Sequence, residues 1–174
     1  PIRSFYVYEA DGYYQSQEEI DNAAVVYGDR TKLRPGDLKY KNNCDDDVID
    51  DKDKIVVGNT IPEVTYSFGV HMGWKGLSLE AQFQGVGEVY TYPRANLAVP
   101  FNNGAGVTRD WATDSWTESN RHSKLPLLTT YTDAPENFIP STKWLRNASY
   151  LRMKNIQLTY DFPKRLLRPL RIEA

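Results

Sequence analysis

The sequence is poor in the residues that mark several large classes of protein. One cysteine, Cys44, stands among 174 residues, so no disulfide forms within the chain. Two histidines, His71 and His122, supply little for a metal or catalytic constellation, and neither sits in a metal-ligand spacing. No glycine-rich phosphate cradle or nucleophile elbow occurs. Neither sign of charge dominates: 21 basic and 23 acidic side chains leave a net charge of -2 and a pI near 5.7, with no electrostatic footprint for nucleic acid. No apolar run approaches the roughly 18 to 20 residues of a spanning helix. The mean hydropathy of -0.60 is that of a soluble chain. It leaves one membrane class standing, because barrel strands alternate apolar and polar residues and average out as soluble. Aromatic residues are plentiful, with 12 Tyr, 6 Phe and 4 Trp, and they argue against disorder.

Periodicity carries the structural information. From Val64 to Trp74 the even positions Val64, Tyr66, Phe68, Val70, Met72 and Trp74 are large and apolar, while the odd positions are polar or small. That alternation predicts a long strand with one apolar face. Lys75-Gly76 reads as a two-residue turn, after which Leu77, Leu79, Ala81 and Phe83 resume the apolar phase. A third strand is predicted by Ile156, Leu158, Tyr160 and Phe162. Upstream of it Leu151 and Met153 are out of phase, so either a bulge near Lys154 resets the pattern or that end lies outside the apolar zone. Ser16-Gln17-Glu18-Glu19 fits a capping box that opens a helix running to about Tyr27 and stopping at Gly28. Residues 5 to 8 form a β-prone run ended by Asp11-Gly12, and Arg34-Pro35-Gly36-Asp37 is a turn. Residues 91–148 hold five prolines and no sustained period, which marks a functional loop. The chain opens at Pro1-Ile2-Arg3 without an export signal and closes at Arg171-Ile172-Glu173-Ala174 as an extended segment starts. Both ends read as cuts in a longer protein.

Four ordered blocks then resemble a known family. They are Gly36-Asp37-Leu38-Lys39-Tyr40-Lys41 followed by Val48-Ile49-Asp50, Asp53 and Gly58; the segment 59–69 with Pro62 and Tyr66; Asp114-Ser115-Trp116-Thr117-Glu118-Ser119-Asn120; and Ser149 to Tyr160 preceded by Trp144-Leu145. Together they resemble the C-terminal region of the SusC/RagA family of TonB-linked outer-membrane proteins, which are TonB-dependent nutrient transporters. The resemblance implies an all-β chain: antiparallel strands of a transmembrane β-barrel, as a fragment, with long extracellular loops and a short helix. The expected division is an extracellular loop region with the helix and an Asp-rich loop over 1–60 and a barrel hairpin over 61–92. A long extracellular loop over 93–148 follows, then a barrel strand, a periplasmic turn and a truncated final strand over 149–174. It further implies import of glycans or peptides, a SusD-like lipoprotein partner, coupling to TonB through an N-terminal region absent from these residues, contact with outer-membrane lipid, and a Gram-negative cell outer membrane as location. A soluble surface β-module that binds carbohydrate through loop aromatics is the competing reading. Neither reading makes the chain an enzyme.

Two sets of residues carry candidate chemistry. The loop 42–53 resembles a calcium loop, with Asn42, Asp46, the Val48 carbonyl, Asp50 and Asp53 as oxygen donors at the expected offsets. Cys44 and Asp47 depart from that pattern, and a solvated acidic loop is the alternative. Trp111, Trp116, Tyr131 and Trp144 are candidates to stack on a substrate such as a sugar ring; each could instead pack its own loop. Trp74, with Tyr160 and Phe162, fits an aromatic girdle at a membrane interface.

Overall fold

The computed structural model describes residues 3–93 and 98–163. The basic turn and truncated final strand expected after Pro163 lie outside the described residues. In chain order the elements are β1 (Ser4–Val7), β2 (Ala10–Tyr13), helix α1 (Gln17–Asn22), β3 (Leu38–Tyr40), β4 (Ile55–Asn59), β5 (Val64–Trp74) and β6 (Leu77–Gly87). There follow β7 (Tyr90–Thr91), helix α2 (Arg109–Thr113), β8 (Ser115–Trp116), β9 (Leu125–Leu127), β10 (Arg146–Asn147) and β11 (Tyr150–Tyr160). They form two compact units, one of residues 1–60 with 90–146 and the other of residues 61–89 with 147–174.

The second unit is a three-stranded antiparallel sheet in the order β11-β6-β5, each strand eleven residues long. Lys75 and Gly76 join β5 to β6 with φ of 47° and 87°, the two left-handed residues that a type I′ turn needs to match the strand twist. Pairing is regular from Val64 opposite Gly87 to Trp74 opposite Leu77. Between β6 and β11 the register shifts once, between Met153 and Asn155. That bulge absorbs Lys154. Leu151 and Met153 are thereby brought opposite Gly85 and Phe83, onto the same face as Ile156 and Leu158.

The first unit contains short strands and a compact aromatic core. Tyr8, Tyr13, Leu38, Tyr40, Ile49, Trp111, Trp116, Leu125 and Trp144 are buried together, and Tyr14, Ile20 and Leu33 form a smaller cluster under α1. Ser16 caps α1 by accepting the Glu19 N–H at 3.1 Å, as the motif predicts. The Glu19 carboxylate reaches back to the Gln15 N–H at 2.7 Å, one residue earlier than a capping box requires. The helix is shorter than expected. It ends at Asn22 because Arg30 takes its last carbonyls, with bonds to Ile20 (2.5 Å) and Ala23 (2.6 Å), and because Val25 and Val26 leave it to pack against the two separate clusters. Asp11-Gly12 is not a turn; it lies within β2, where the pairing with β3 is irregular and Gly12 has φ of 86°.

The Arg34–Asp37 turn links the clusters. The Asp37 N–H donates to the Arg34 carbonyl at 3.0 Å, and Gly36, with φ of 94°, follows Pro35 as in a type II turn. A Cβ on Gly36 would lie 2.5 Å from the Trp116 ring and 2.9 Å from Leu127. Glycine is required here by both conformation and packing.

Candidate functional site

The sheet of β5, β6 and β11 has two chemically different faces. One presents Val64, Tyr66, Phe68, Val70, Met72 and Trp74 beside Phe83, Ala81, Leu79 and Leu77, and then Leu151, Met153, Ile156, Leu158 and Tyr160. The other presents Thr65, Ser67 and His71 beside Gln84, Gln82 and Glu80, with Arg152, Asn155 and Gln157 on the third strand. Every residue of β5 and β11 is exposed, including Met72 at 56% and Leu158 at 67%. A contiguous apolar surface of this kind needs a lipid or protein cover. With about 3.4 Å rise per residue and a tilt near 40°, an eleven-residue strand reaches roughly 26 to 29 Å along a membrane normal, against an apolar band of about 25 Å in outer-membrane barrels.

Details of the apolar face suit that cover. Tyr66 lies across Gly85 of the neighbouring strand, where a Cβ would sit 2.3 Å from its ring, and Phe68 stacks on Phe83 with centroids 5.0 Å apart. At the turn end Trp74 and Tyr160 flank Leu77 in the register, Phe162 meets Tyr160 edge-on at 4.9 Å, and the Lys75 ammonium lies 4.9 Å over the Trp74 ring. Aromatic rings beside a short turn, with a cation over one of them, are the composition of a membrane–water interface. The opposite end of the sheet is where the chain enters β5, leaves β6 and enters β11.

The first unit contains a cleft of about 420 Å³. It is lined by the four residues of β1, Ser4 to Val7, together with Tyr92, Pro93, Ala98, Val99, Phe138, Pro140 and Trp144. Its walls are aromatic, aliphatic and proline, the lining typical of a small-ligand site.

The residues expected to stack on substrate are placed differently from one another. Trp111, Trp116 and Trp144 are in the core, at 2%, 4% and 3% exposure. Trp111 packs on Phe138 and Trp144 at 6.1 Å each, and Phe138 stacks on Trp144 at 6.0 Å. Trp111 and Trp144 pack on each other and on Phe138, while the Trp116 ring lies against Gly36, so at these exposures none offers a broad indole face to a sugar. Of the three, only Trp144 borders the cleft. Tyr131 is exposed and leans on Phe138 at 6.0 Å.

The Asp-rich loop is organised by its own backbone. Asp53 is fully buried, and its carboxylate accepts N–H groups from Asn43 (2.7 Å), Cys44 (3.0 Å) and Asp50 (2.8 Å). These donors, led by the Asp50 N–H, hold its carboxyl below the usual carboxylate range against the opposing effect of desolvation. Asp50 accepts from the Lys52 N–H at 2.8 Å and Asp46 from the Val48 N–H at 3.2 Å, while the Asn42 amide donates to the Asp46 carbonyl. The calcium candidates Asn42, Asp46, Asp50 and Asp53 therefore serve as turn-forming groups, and the Val48 side chain is exposed. Among the described residues no three His, Cys, Asp or Glu side chains are grouped to hold a metal. His71 stands opposite Glu80 in the sheet, and His122 is exposed in the loop unit.

One buried polar network was not foreseen as such. Asn137, fully buried, donates its amide to Asp37 at 2.7 Å, accepts the Leu38 N–H at 2.7 Å, and through its carbonyl accepts the Trp144 indole N–H at 2.9 Å. The Arg34 N–H completes the Asp37 carboxylate at 2.8 Å. Burial pushes the Asp37 carboxyl up, with the Asn137 and Arg34 donors pulling it partly back. The Gly36-Asp37 motif was the available signal; its partner, a hundred residues away, was not.

The fold and its apolar face define this chain as antiparallel strands of a transmembrane β-barrel with long loops, in the form of a fragment. Known proteins carry the assignment further. No family model matches the chain. TonB-dependent receptor P26 of Formosa agariphila is 29% identical over 154 residues, covering 87% of this chain and 15% of that protein. TonB-dependent receptor P3 of the same organism is 26% identical over 168 residues, covering 95% of this chain and 16% of that protein. The RagAB peptide importer in its open-open state superposes with a TM-score of 0.54 at 26% identity, covering 94% of this chain and 16% of that one. The chain is thus a homologue of TonB-dependent receptors, and its resemblance to the SusC/RagA family of TonB-linked outer-membrane proteins is borne out. It spans about one sixth of the length of the relatives it matches.

Proposed function

We propose that these residues are the C-terminal barrel and loop region of a transporter in the outer membrane of a Gram-negative bacterium. The transporter imports glycans or peptides, works with a SusD-like lipoprotein, and draws energy from TonB through a region outside this sequence. The observation that carries this reading is the continuous apolar face on three eleven-residue strands, backed by a polar face that suits an aqueous lumen. The loop unit lies on the extracellular side, since such barrels keep their short turns periplasmic. The relatives are receptors and an importer, and their role supports transport rather than catalysis here.

The test places single cysteines at Val70 and His71 in a cysteine-free version of the intact protein. In outer membranes Val70→Cys should be quenched by a lipid-borne spin label, and His71→Cys should react with a water-soluble thiol reagent. The reverse pattern refutes a lipid-facing even register. Purification under mild detergent should recover a lipoprotein, and gene deletion should abolish growth on one polymeric glycan or on peptides. Recovery of the transporter alone would count against the lipoprotein partner.

A further inference from the structure

On the apolar face of the sheet the middle strand is recessed. Leu79, Ala81 and Phe83 of β6 are half-buried, while Met72 and Val70 on one side and Leu158 and Ile156 on the other are exposed. The register sets Met72 and Leu158 on either side of Leu79, and Val70 and Ile156 on either side of Ala81, whose methyl group keeps the floor low. Neighbouring strands lie about 4.8 Å apart, so the two flanking rows stand about 9 to 10 Å from each other. An alkyl chain laid midway touches both, since apolar contact is made at about 4.0 to 4.5 Å. From Leu77 to Ala81 this groove runs about 14 Å, at about 3.4 Å per residue. Phe83, stacked on Phe68 with centroids 5.0 Å apart, closes one end. Lys75 stands at the other. Its ammonium lies over the Trp74 ring at 4.9 Å and pairs with no carboxylate among the described residues. Asp161 reaches the turn through its main chain, donating its N–H to the Gly76 carbonyl at 2.7 Å.

We propose that this groove holds one glycerophospholipid, its phosphate on the Lys75 ammonium and one acyl chain laid over Leu77, Leu79 and Ala81 as far as Phe83. This rests on the outer-membrane reading and adds a defined ligand to the lipid face. The Trp74 ring covers one side of the ammonium and leaves its other donors to an oxyanion. Trp74 and Tyr160 flank Leu77, so two amphipathic rings border the chain where it leaves the headgroup. A lysine without an acidic partner, at the end of an apolar groove one chain wide, matches a molecule with an anionic head and an alkyl tail. Unaligned lipid meets only the taller flanking rows, because the recessed row admits a chain parallel to the strands. The short turn is the periplasmic end of such barrels, where the leaflet supplies glycerophospholipid.

The experiment uses a cysteine-free version of the intact protein in dodecyl maltoside, its folding first verified by heat-modifiable gel mobility, with bimane on Leu158→Cys beside the groove. The probe is phosphatidylglycerol with one dibrominated acyl chain, which quenches bimane on contact. Saturable quenching is expected. Lys75→Gln should raise the half-saturating lipid concentration about fivefold, the worth of one basic residue against an anionic lipid surface, and Lys75→Arg should restore it. Brominated diacylglycerol, which lacks the phosphate, should quench without saturating. Ala81→Trp, which fills the floor, should abolish saturable quenching with Lys75 in place. Bimane on Leu151→Cys, on the same face but beyond Phe83, should also show only unsaturable quenching. Unchanged affinity in Lys75→Gln, saturable quenching by brominated diacylglycerol or in Ala81→Trp, or equal saturation at Leu151 would each overturn the proposal. Cysteine accessibility at Val70 and His71 tests the membrane reading separately, so a face that meets lipid without any dependence on Lys75 sinks only this inference.

Discussion

An arginine scan along β5 tests the membrane face quantitatively. Val70 lies one residue from the middle of the eleven-residue strand, opposite Ala81, whose methyl group cannot cover a guanidinium. With about 3.4 Å per residue and a tilt near 40°, its depth is within roughly 3 Å of the membrane midplane, where arginine on a barrel's lipid face costs about 2–4 kcal/mol. That range is a shift of about 30- to 900-fold in the folding equilibrium. Val64 and Trp74, at the strand ends, sit near the interfaces, where the same change costs about 0–1 kcal/mol. His71→Arg, next to Val70 but on the other face and opposite Glu80, should cost close to nothing. The assay is urea-dependent folding of the intact protein into phospholipid vesicles, read by heat-modifiable mobility. The expected profile peaks at Val70, falls at both ends and is absent at His71. Equal costs at Val70 and His71, or a flat profile over the three even positions, would refute the argument that this face meets lipid.

The loop unit supports three further predictions. Gly36→Ala should destabilise it by several kcal/mol, about 1–2 from the left-handed backbone and the rest from a Cβ pressed 2.5 Å from the Trp116 ring; tryptic resistance of the loop unit reports the loss, and unchanged resistance would contradict the packing. Asn137→Ala removes the amide donor from Asp37 Oδ1 and the acceptor from the Leu38 N–H, at about 1–3 kcal/mol for each buried group; a double-mutant cycle with Asp37→Ala should show strong coupling, and additivity would deny the network. The depressed Asp53 carboxyl gives a definite sign with pH: its stabilisation is present above the unfolded carboxylate value of about 3.9 and is lost as pH falls through the lower folded value. The amide shifts of Asn43, Cys44 and Asp50 should titrate together with a midpoint below that value, and a midpoint at or above it would deny that these three N–H groups hold the Asp53 carboxylate.

The legible part of this protein is the part whose partners are close in sequence or repeat at a fixed period. The hairpin follows from a period of two, because a helix would turn residues two apart, such as Val64 and Tyr66 or Phe68 and Val70, to opposite sides. The bulge at Lys154 was one of two ways to reconcile Met153 with Ile156, and the register selects it. The start of α1 was readable from Ser16, whose cap is local. Its end was not, since it depends on Val25 and Val26 joining two separate clusters and on Arg30 taking the last carbonyls.

The loop unit was opaque for the opposite reason. Tryptophans in a proline-rich stretch without periodicity look the same whether they face a ligand or one another. What decides between the two is contact with Tyr8, Tyr13 and Tyr40, which lie at the other end of the sequence. The same aromatic residues that suggested ligand contacts are what order this unit. Its short strands and its smaller cluster offer little other core, and Trp111, Phe138 and Trp144 stack together to supply one.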